Sequence, residues 1–265
     1  MFNKNSPIGI FDSGLGGLTV FKAVRRLMPS ENLIYFGDTA RVPYGTKSKE
    51  AVIAFSREIA AVLSGRGVKL LIVACNTASS LALEEVRKAS KAPVIGVIEP
   101  GARAACAATV NNRVLVTGTT ATVTSGAYGR ALKKIKPGVR VHEKACPLFV
   151  PLVEEGWCAK KVTELVAAEY LSSFKKKGFD TVILGCTHYP LIKKVIRRVL
   201  GDINIVDSAE VTAAEARANL AARNLLNPGG AGRADFIASD APEKFRGLAL
   251  RLLGIRTGRV EVKRF

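Results

Sequence analysis

The fold is decided by the stretch 70-LLIVACNTAS-79, because its pattern returns later in the chain as 181-TVILGCTHYP-190. Each copy is a run of uncharged aliphatic residues, typical of a strand buried on both faces, and ends in a small residue, a cysteine and polar side chains. Helices are predicted directly after both stretches, the first over residues 79–90. The two cysteines, Cys75 and Cys186, are therefore expected at the carboxyl ends of parallel strands, where open α/β sheets bind ligands. We expect these two thiols to meet across one cleft.

Free cysteines are often buried residues that serve only packing, and we keep that interpretation for Cys106, Cys146 and Cys158. Cys75 and Cys186 differ from them because polar side chains follow each at once. The odd number of cysteines, five, and the absence of a recognisable secretory signal argue against disulfide pairing. No Cys-x-x-Cys spacing occurs, and the chain has only two histidines, so we expect no metal site.

The length of 265 residues allows one large or two medium domains. Hydrophobic residues make up 48% of the chain, but no apolar run approaches the roughly 20 residues that a membrane helix needs. The first residues lead directly into a predicted strand, so we expect no signal peptide. These features predict a cytoplasmic protein with no membrane association.

The formal net charge of +18 is compatible with nucleic-acid binding. The basic residues are dispersed, however, and no zinc-finger spacing or aromatic-rich basic stretch accompanies them. We therefore expect no dedicated nucleic-acid binding. The charge instead favours solubility and a positive field that attracts an anionic substrate.

Strands alternate with helices along the chain, which predicts an α/β fold with a largely parallel sheet in each of two units. The predicted strands 7–11 and 112–117 both end in a polar turn, which indicates a weak internal duplication. Residues 98–101 have the composition of a linker, and a second boundary follows the strand at 204–206. The segment from residue 208 on has too few strands for a core of its own, so we expect it to pack on the first unit.

The turn 12-DSGLGG-17 allows two interpretations. It resembles a dinucleotide-binding loop, with Asp38 where a ribose-binding acid would stand, but the third glycine of that motif would fall at Thr19. Alternatively, Asp12 and Ser13 present polar groups to a small ligand, since a helix amino terminus favours a carboxylate as readily as a phosphate. The turn alone does not separate a nucleotide-binding protein from an enzyme with a small substrate.

Two thiols on opposite faces of a carbon acid can remove a proton from one side and return it from the other, which inverts a stereocentre. A free cysteine has a pKa of about 8.5, so neighbouring groups must help to form the thiolate. The candidates are Asp12 or Asp38 for one thiol and His188, two residues after Cys186, for the other. The alternative for His188 is a purely structural role.

At these residues the chain resembles the cofactor-independent aspartate/glutamate racemase superfamily, and within it the glutamate racemases. The resemblance spans almost the whole chain in family order, and the two cysteine motifs are its most specific part. The matching stretches are 11-FDSGLGG-17, Asp38 with 43-PYG-45, 73-VACNTAS-79, 118-GTTAT-122 and 185-GCTHYP-190.

The resemblance implies roles for individual residues. Cys75 and Cys186 are the implied catalytic acid/bases, with Cys75 acting on D-glutamate and Cys186 on L-glutamate, assisted by Asp12 and His188. Glu154 resembles an acidic residue that some members place beside the second thiol. The implied substrate contacts are Asp12, Ser13, Tyr44, Gly45, Asn76, Thr77, Thr119, Thr120, Thr122, Thr187 and His188.

The resemblance also implies the fold, the activity and the assembly of the protein. Its fold would be two similar three-layer α/β units with largely parallel sheets facing each other across a central cleft, residues 1–98 with 208–265 forming the first and 99–207 the second. Its activity would be racemisation of glutamate without a cofactor, in a cytoplasmic homodimer that supplies D-glutamate for peptidoglycan. An aspartate or other amino-acid racemase is the alternative within this class. A nucleotide- or nucleic-acid-binding regulator is the alternative from another class, and it leaves the paired cysteines unexplained.

Overall fold

A computed structural model describes residues 2–265. The strands of this range are β1 (Ile8–Asp12), β2 (Leu33–Gly37), β3 (Leu70–Val73), β4 (Val94–Gly96), β5 (Arg113–Gly118), β6 (Arg140–Ala145), β7 (Thr181–Gly185), β8 (Asn204–Asp207), β9 (Ala234–Ala238) and β10 (Val260–Val262). The α-helices are α1 (Leu18–Leu27), α2 (Lys49–Gly65), α3 (Asn76–Leu81), α4 (Leu83–Ala89), α5 (Ile98–Ala108), α6 (Thr120–Ser125), α7 (Ala127–Ile135), α8 (Phe149–Glu154), α9 (Lys161–Leu171), α10 (Lys193–Leu200), α11 (Ser208–Ala222) and α12 (Pro242–Leu253). Short 3₁₀ helices lie at Tyr44–Thr46, Ser172–Phe174 and Tyr189–Ile192.

The strands form two parallel sheets, which confirms the predicted α/β class. The first sheet has the order β10-β9-β2-β1-β3-β4, and the second has the order β6-β5-β7-β8. The run β2-β1-β3-β4 has the same order as the whole second sheet, so β3 and β7 occupy equivalent positions, as do β1 and β5. Cys75 follows β3 and Cys186 follows β7, so the two cysteines stand at equivalent places in the two sheets.

Each sheet is the middle layer of three. In β1, Ile8 and Ile10 pack against α1, α11 and α12 on one face, and Phe11 packs against α2, α3 and α4 on the other. In β5, Leu115 packs toward α8, α9 and α10, and Val116 packs toward α5 and α7. Because both faces of each sheet are covered, the inner strands β1, β2, β3 and β7 are buried along their whole length, as is typical of parallel sheets.

The segment 98–101, predicted as a linker, is the first turn of α5. Pro100 is tolerated there because the first N–H groups of a helix have no carbonyl partner, so the missing donor costs nothing. Ala102 and Ala105 then bury one face of α5 against the second sheet. The linker interpretation was wrong because the local composition does not reveal this tertiary packing.

The helix predicted from residue 79 begins three residues earlier, at Asn76. Cys75 is the amino-terminal cap of α3, since its sulfur accepts a hydrogen bond from the Ala78 N–H at 3.4 Å. The helical region then breaks at Ala82 into α3 and α4. The polar residues after the cysteine therefore lie in the first turn of a helix and not in a loop.

The last part of the chain extends the first sheet. β9 pairs in parallel with β2, and β10 pairs with β9. The strands of the first sheet thus come from both ends of the sequence, while those of the second come from its middle. The domain limits 1–98 with 208–265 and 99–207 stay a prediction. Within residues 2–265, no helix combines the length and the apolar character needed to cross a membrane.

Candidate active site

A cavity lies where the carboxyl ends of the two sheets come together. It offers about 100 Å³ to the centres of water-sized atoms. Both units supply its walls, and both Cys75 and Cys186 are among the lining residues. The complete lining consists of Ser13, Val42, Pro43, Tyr44, Gly45, Thr46, Cys75, Asn76, Thr77, Thr119, Thr120, Pro147, Val150, Pro151, Cys186, Thr187 and His188.

The thiol of Cys75 lies in a negative and desolvated environment. Its side chain is buried, and the carboxyl group of Asp12 acts on it. Burial and, second, the charge of Asp12 raise the pKa of this thiol to about 12, against the opposing hydrogen bonds from the Ala78 N–H and Ser13. Cys75 is therefore a protonated thiol at neutral pH in the absence of a ligand.

The thiol of Cys186 lies beside an imidazole. The Nδ1 atom of His188 is 3.8 Å from the Cys186 sulfur, and the Nε2 atom of His188 is 3.1 Å from Oε1 of Glu154. Burial alone would lower the pKa of His188, but its hydrogen bonds with Cys186 and Glu154 outweigh burial and raise that pKa to about 10. Burial likewise opposes ionisation of Glu154, yet the hydrogen bond with His188 lowers its pKa. The three side chains form a thiol–imidazole–carboxylate relay.

Asp12 connects the two units and makes no hydrogen bond to Cys75 within residues 2–265. Its carboxylate accepts hydrogen bonds from the Gly14 N–H at 3.1 Å and from the Thr187 hydroxyl at 3.3 Å. Burial raises the pKa of Asp12, against the positive charge of His188, which lowers it. The carboxyl group lies behind the cavity wall, where its charge acts on Cys75 and its oxygens hold Thr187.

Asp38 lies behind Tyr44. Its carboxylate accepts hydrogen bonds from the Tyr44 hydroxyl, from Arg41 Nε at 2.7 Å and from the Ser239 hydroxyl at 2.7 Å. Tyr44 lines the cavity, and Asp38 does not. The structure thus places Asp38 as a support for Tyr44, with no hydrogen bond to either thiol among the described residues.

A group of hydroxyls joins the two units at the cavity wall. The Thr77 hydroxyl lies 2.9 Å from that of Thr119 and 3.3 Å from that of Thr122, and the Thr119 and Thr122 hydroxyls are 3.0 Å apart. Thr119 caps the amino terminus of α6. Thr77 and Thr119 line the cavity, whereas Thr122 is buried behind them. These hydroxyls can turn their protons toward a bound carboxylate.

Asn76 presents an unused donor. Its carbonyl oxygen accepts a hydrogen bond of 2.7 Å from the Tyr128 hydroxyl, while its buried Nδ2 has no hydrogen-bond partner. Asn76 itself is among the lining residues, so this unpaired amide nitrogen is a candidate donor to an acceptor of a bound molecule.

The glycine-rich turn packs against the second cysteine motif. A Cβ atom added to Gly16 would lie 2.4 Å from the Thr187 hydroxyl oxygen and 2.5 Å from His188 Nδ1. No real Cβ makes such contacts, so the turn must have glycine there. This close approach supports the small-ligand interpretation of the turn, since the face of Gly16 is occupied by site residues and not open to a pyrophosphate.

Most of the predicted site residues come together in this cavity. Asp12 and Thr122 contact lining residues from behind, and Asp38 and Glu154 support Tyr44 and His188 in the same way. Sequence reasoning missed Tyr128 and several apolar or loop residues of the lining. Those are Val42, Pro43, Thr46, Pro147, Val150 and Pro151. Apart from the threonine they carry no reactive group, and only their position after a predicted strand could have indicated them.

The three remaining cysteines and the possible metal ligands were also located relative to the cavity. Cys106, Cys146 and Cys158 do not line the cavity. Over residues 2–265, no group of three or more His, Cys, Asp and Glu side chains is placed to hold a metal ion.

Comparison with known proteins defines the family of this chain. The sequence profile of the Asp/Glu/hydantoin racemase family matches residues 18–216. The chain belongs to this racemase family. A curated relative, the glutamate racemase of Geobacter metallireducens, is 52% identical over 255 residues, which cover 96% of this chain and 94% of the relative.

Solved racemase structures share the whole fold. The glutamate racemase of Thermus thermophilus in complex with β-chloro-D-alanine has a TM-score of 0.91 and 49% identity, with coverage of 99% of this chain and 98% of the other. The glutamate racemase of Francisella tularensis in complex with D-glutamate has a TM-score of 0.93 and 39% identity, with coverage of 98% of both chains.

Proposed function

We propose that this member of the racemase family interconverts L-glutamate and D-glutamate by two-base proton transfer at the α carbon. The observation that carries the proposal is the placement of Cys75 and Cys186 in one small cavity, at the ends of equivalent strands of two similar sheets. A molecule held between them presents opposite faces to the two sulfurs. The relatives named as glutamate racemases support the choice of substrate.

From L-glutamate, the thiolate of Cys186 removes the α proton and the thiol of Cys75 delivers a proton to the opposite face. One proton leaves the carbon and one returns, so the step needs no oxidant. His188, held by Glu154, stabilises the thiolate form of Cys186 because an adjacent imidazolium favours a negative sulfur. From D-glutamate the roles reverse, with Cys75 as the base and the nearby carboxylate of Asp12 as the assisting group.

The cavity wall can bind the charged ends of an amino acid. Removal of the α proton places negative charge on the α carboxylate, and preorganised donors stabilise that charge. The unpaired Nδ2 of Asn76 and the hydroxyls of Thr77 and Thr119 are such donors among the lining residues. A cavity of about 100 Å³ suits a small substrate and is far below the roughly 300–1,000 Å³ of sites for drug-sized ligands.

The direct test is circular dichroism of L-glutamate with purified protein, after dialysis against a chelator and with no added cofactor. We expect loss of the optical signal to the racemic end point, and L-aspartate in a parallel cuvette distinguishes the alternative substrate. In D₂O, early D-glutamate should carry α-deuterium while the remaining L-glutamate does not, because the delivered proton comes from the second thiol. Activity that returned only with pyridoxal phosphate, or early exchange into unreacted L-glutamate, would contradict the two-base mechanism.

The biological role of D-glutamate and the oligomeric state of the protein are proposed from its membership of the racemase family. We propose a cytoplasmic homodimer that supplies D-glutamate for peptidoglycan. Complementation of a bacterial strain that requires D-glutamate tests the role, and light scattering tests the dimer against the 28.2 kDa monomer. A strain that stays dependent on added D-glutamate, or a monomer at working concentration, would count against the respective part.

We also propose residues 1–98 with 208–265 and residues 99–207 as the two domains. The membership of the strands in the two sheets supports this division. Expression of residues 99–207 alone tests it, and we expect this segment to unfold in one cooperative transition. A segment that stays unfolded would argue against these limits.

A further inference from the structure

The phenol of Tyr128 reaches both cysteine motifs. Tyr128 lies in α7 of the second unit, and its side chain is completely buried. Its hydroxyl donates a hydrogen bond of 2.7 Å to Oδ1 of Asn76, the residue directly after Cys75. One side chain thus extends from the second unit to the residue that follows the thiol of the first unit.

The ring of Tyr128 packs beside the second motif. A Cβ atom added to Gly185, the residue directly before Cys186, would lie 3.1 Å from Cε2 of the ring. A Cβ atom added to Gly101 would lie 3.2 Å from Cε1 on the other edge. Two glycines therefore leave room for the ring between α5 and the end of β7, and the ring fills this space at the base of Cys186.

The hydrogen bond determines how the Asn76 side chain is oriented. A carboxamide has one oxygen acceptor and one NH₂ donor on opposite branches. Because the oxygen accepts from Tyr128, the NH₂ group points the other way, and it has no partner in the protein. Without the phenolic donor the carboxamide has no reason to keep this orientation, and a flip would present an oxygen to the substrate carboxylate.

We propose that Tyr128 is a positioning residue for racemisation. Its hydroxyl fixes the Asn76 amide as a donor to the substrate carboxylate, and its ring holds Gly185 in place. This inference rests on the proposed glutamate racemase activity. Tyr128 does not line the cavity and makes no hydrogen bond to either thiol within residues 2–265, so it acts through its two neighbours. Because both enantiomers carry the same carboxylate, the loss of the orienting hydrogen bond should weaken the binding of L- and D-glutamate to the same degree.

The test is Tyr128→Phe, which keeps the ring and removes the donor. We expect KM to rise about tenfold in both directions with a smaller fall in kcat, since one hydrogen bond to a charged group is worth about this factor. Tyr170→Phe is the matched control, because its hydroxyl accepts a hydrogen bond of 3.4 Å from Leu148 N–H and does not line the cavity. Its kinetics should equal those of the wild type.

A double-mutant cycle separates positioning from a general structural effect. If Tyr128 acts through Asn76, adding Tyr128→Phe to Asn76→Ala should change kcat/KM little beyond Asn76→Ala alone. The inference is overturned if the losses of kcat/KM in the two single variants multiply fully in the double variant, or if KM is unchanged in Tyr128→Phe. Either result has this meaning when the wild type racemises glutamate. A wild type without this activity would instead refute the proposed function and the inference with it.

If Tyr128→Phe does not fold, Asn76→Asp tests the premise of the inference, which is the amide donor that Tyr128 orients. The aspartate keeps an acceptor for the Tyr128 hydroxyl and replaces the unpaired amide donor by a second oxygen. We expect a KM increase of at least tenfold in this variant, and a KM within twofold of the wild type would overturn the inference.

Discussion

The Nδ1 atom of His188 lies 3.8 Å from the sulfur of Cys186. The other thiol has no such neighbour, because Asp12 acts on Cys75 through its charge and makes no hydrogen bond with it in the described part of the chain. An imidazole favours a thiolate, whereas a carboxylate favours a thiol. The two catalytic candidates therefore have oppositely acting neighbours before the substrate binds, and this asymmetry leads to the first predictions.

The asymmetry predicts selective alkylation of the resting protein. Both thiols are 5% exposed, so access does not separate them. A thiol with a pKa of about 12 is ionised in about one molecule in ten thousand at pH 8, whereas the sulfur of Cys186 has the imidazole of His188 at 3.8 Å. We expect iodoacetamide to modify Cys186 at least tenfold faster than Cys75, as followed by peptide mass spectrometry. Equal rates would show that the two environments are equivalent.

Each thiol should be essential for racemisation. A serine hydroxyl is a far weaker acid than a thiol, so Cys75→Ser and Cys186→Ser should each lower kcat by about a thousandfold or more. Either variant should still eliminate a leaving group from a β-substituted glutamate, because that reaction needs one base. Cys106→Ser, outside the cavity, is the matched control and should keep its activity. Near-normal racemisation by either active-site variant would rule out two-base catalysis.

The assisting groups should affect the two directions differently. Asp12→Asn and His188→Asn should each lower kcat by about a hundredfold to ten-thousandfold, in proportions that differ between L- and D-glutamate. The ratio of kcat/KM values in the two directions is fixed by the equilibrium constant, so the asymmetry must appear in kcat and KM separately. His142→Asn replaces the other histidine and serves as control. A lowered melting temperature with unchanged kcat would assign both residues a structural role only.

The contact of His188 with Glu154 predicts a pH-dependent stability. The pKa of His188 is raised from 6.5 to about 10, so the stabilisation that it gains from its partners is complete below pH 6.5 and disappears as the pH rises toward 10. The pKa of Glu154 is lowered, so its share is lost only as the pH falls below 4.5. The melting temperature of Glu154→Gln should differ most from that of the wild type near pH 6.

Scanning fluorimetry at pH 6, 8 and 10 measures this difference. Glu155→Gln, the exposed neighbour, is the control and should show none of it. A constant difference between wild type and Glu154→Gln over this range would mean that the ion pair with His188 does not form.

The close approach at Gly16 predicts a sharp effect of one methyl group. In Gly16→Ala the new Cβ would displace Thr187 and His188, which should destabilise the fold by about 1–3 kcal/mol and lower kcat strongly. Gly247→Ala, in α12 with no atom within 4 Å of the added Cβ, should instead stabilise by about 0.5–1 kcal/mol. Denaturant unfolding and the racemisation assay measure both. A fully active Gly16→Ala would show that the turn does not pack on the second motif.

Much of the fold and the central part of the site could be predicted from the sequence. The apolar runs before Cys75 and Cys186 predicted two buried parallel strands, and the structure contains β3 and β7 there. The polar residues after each cysteine pointed to a cavity, and Asn76, Thr77 and Thr187 line it. These predictions succeeded because a strand and the turn that follows it depend on side chains within a few residues of each other.

Other features depended on packing between distant elements. Residues 98–101 read as a linker, and only the second sheet makes them the first turn of a buried helix. By position alone Asp12 and Asp38 are both candidates beside the first thiol, and only the resemblance to the racemases favours Asp12. The structure turns Asp38 toward Tyr44 and Arg41. Position does not separate the two carboxylates, because both stand at the ends of neighbouring strands of one sheet.

The sequence by itself determined the two strand–cysteine motifs, their parallel setting and the chemistry that two thiols allow. Only the tertiary structure decided that His188 is held by Glu154 and that Asn76 is oriented by Tyr128. Local patterns are set by backbone preference and by the alternation of buried side chains. The partner of a buried polar group is set by how two sheets and their helices pack to remove apolar surface from water, and that geometry joins residues far apart in the chain.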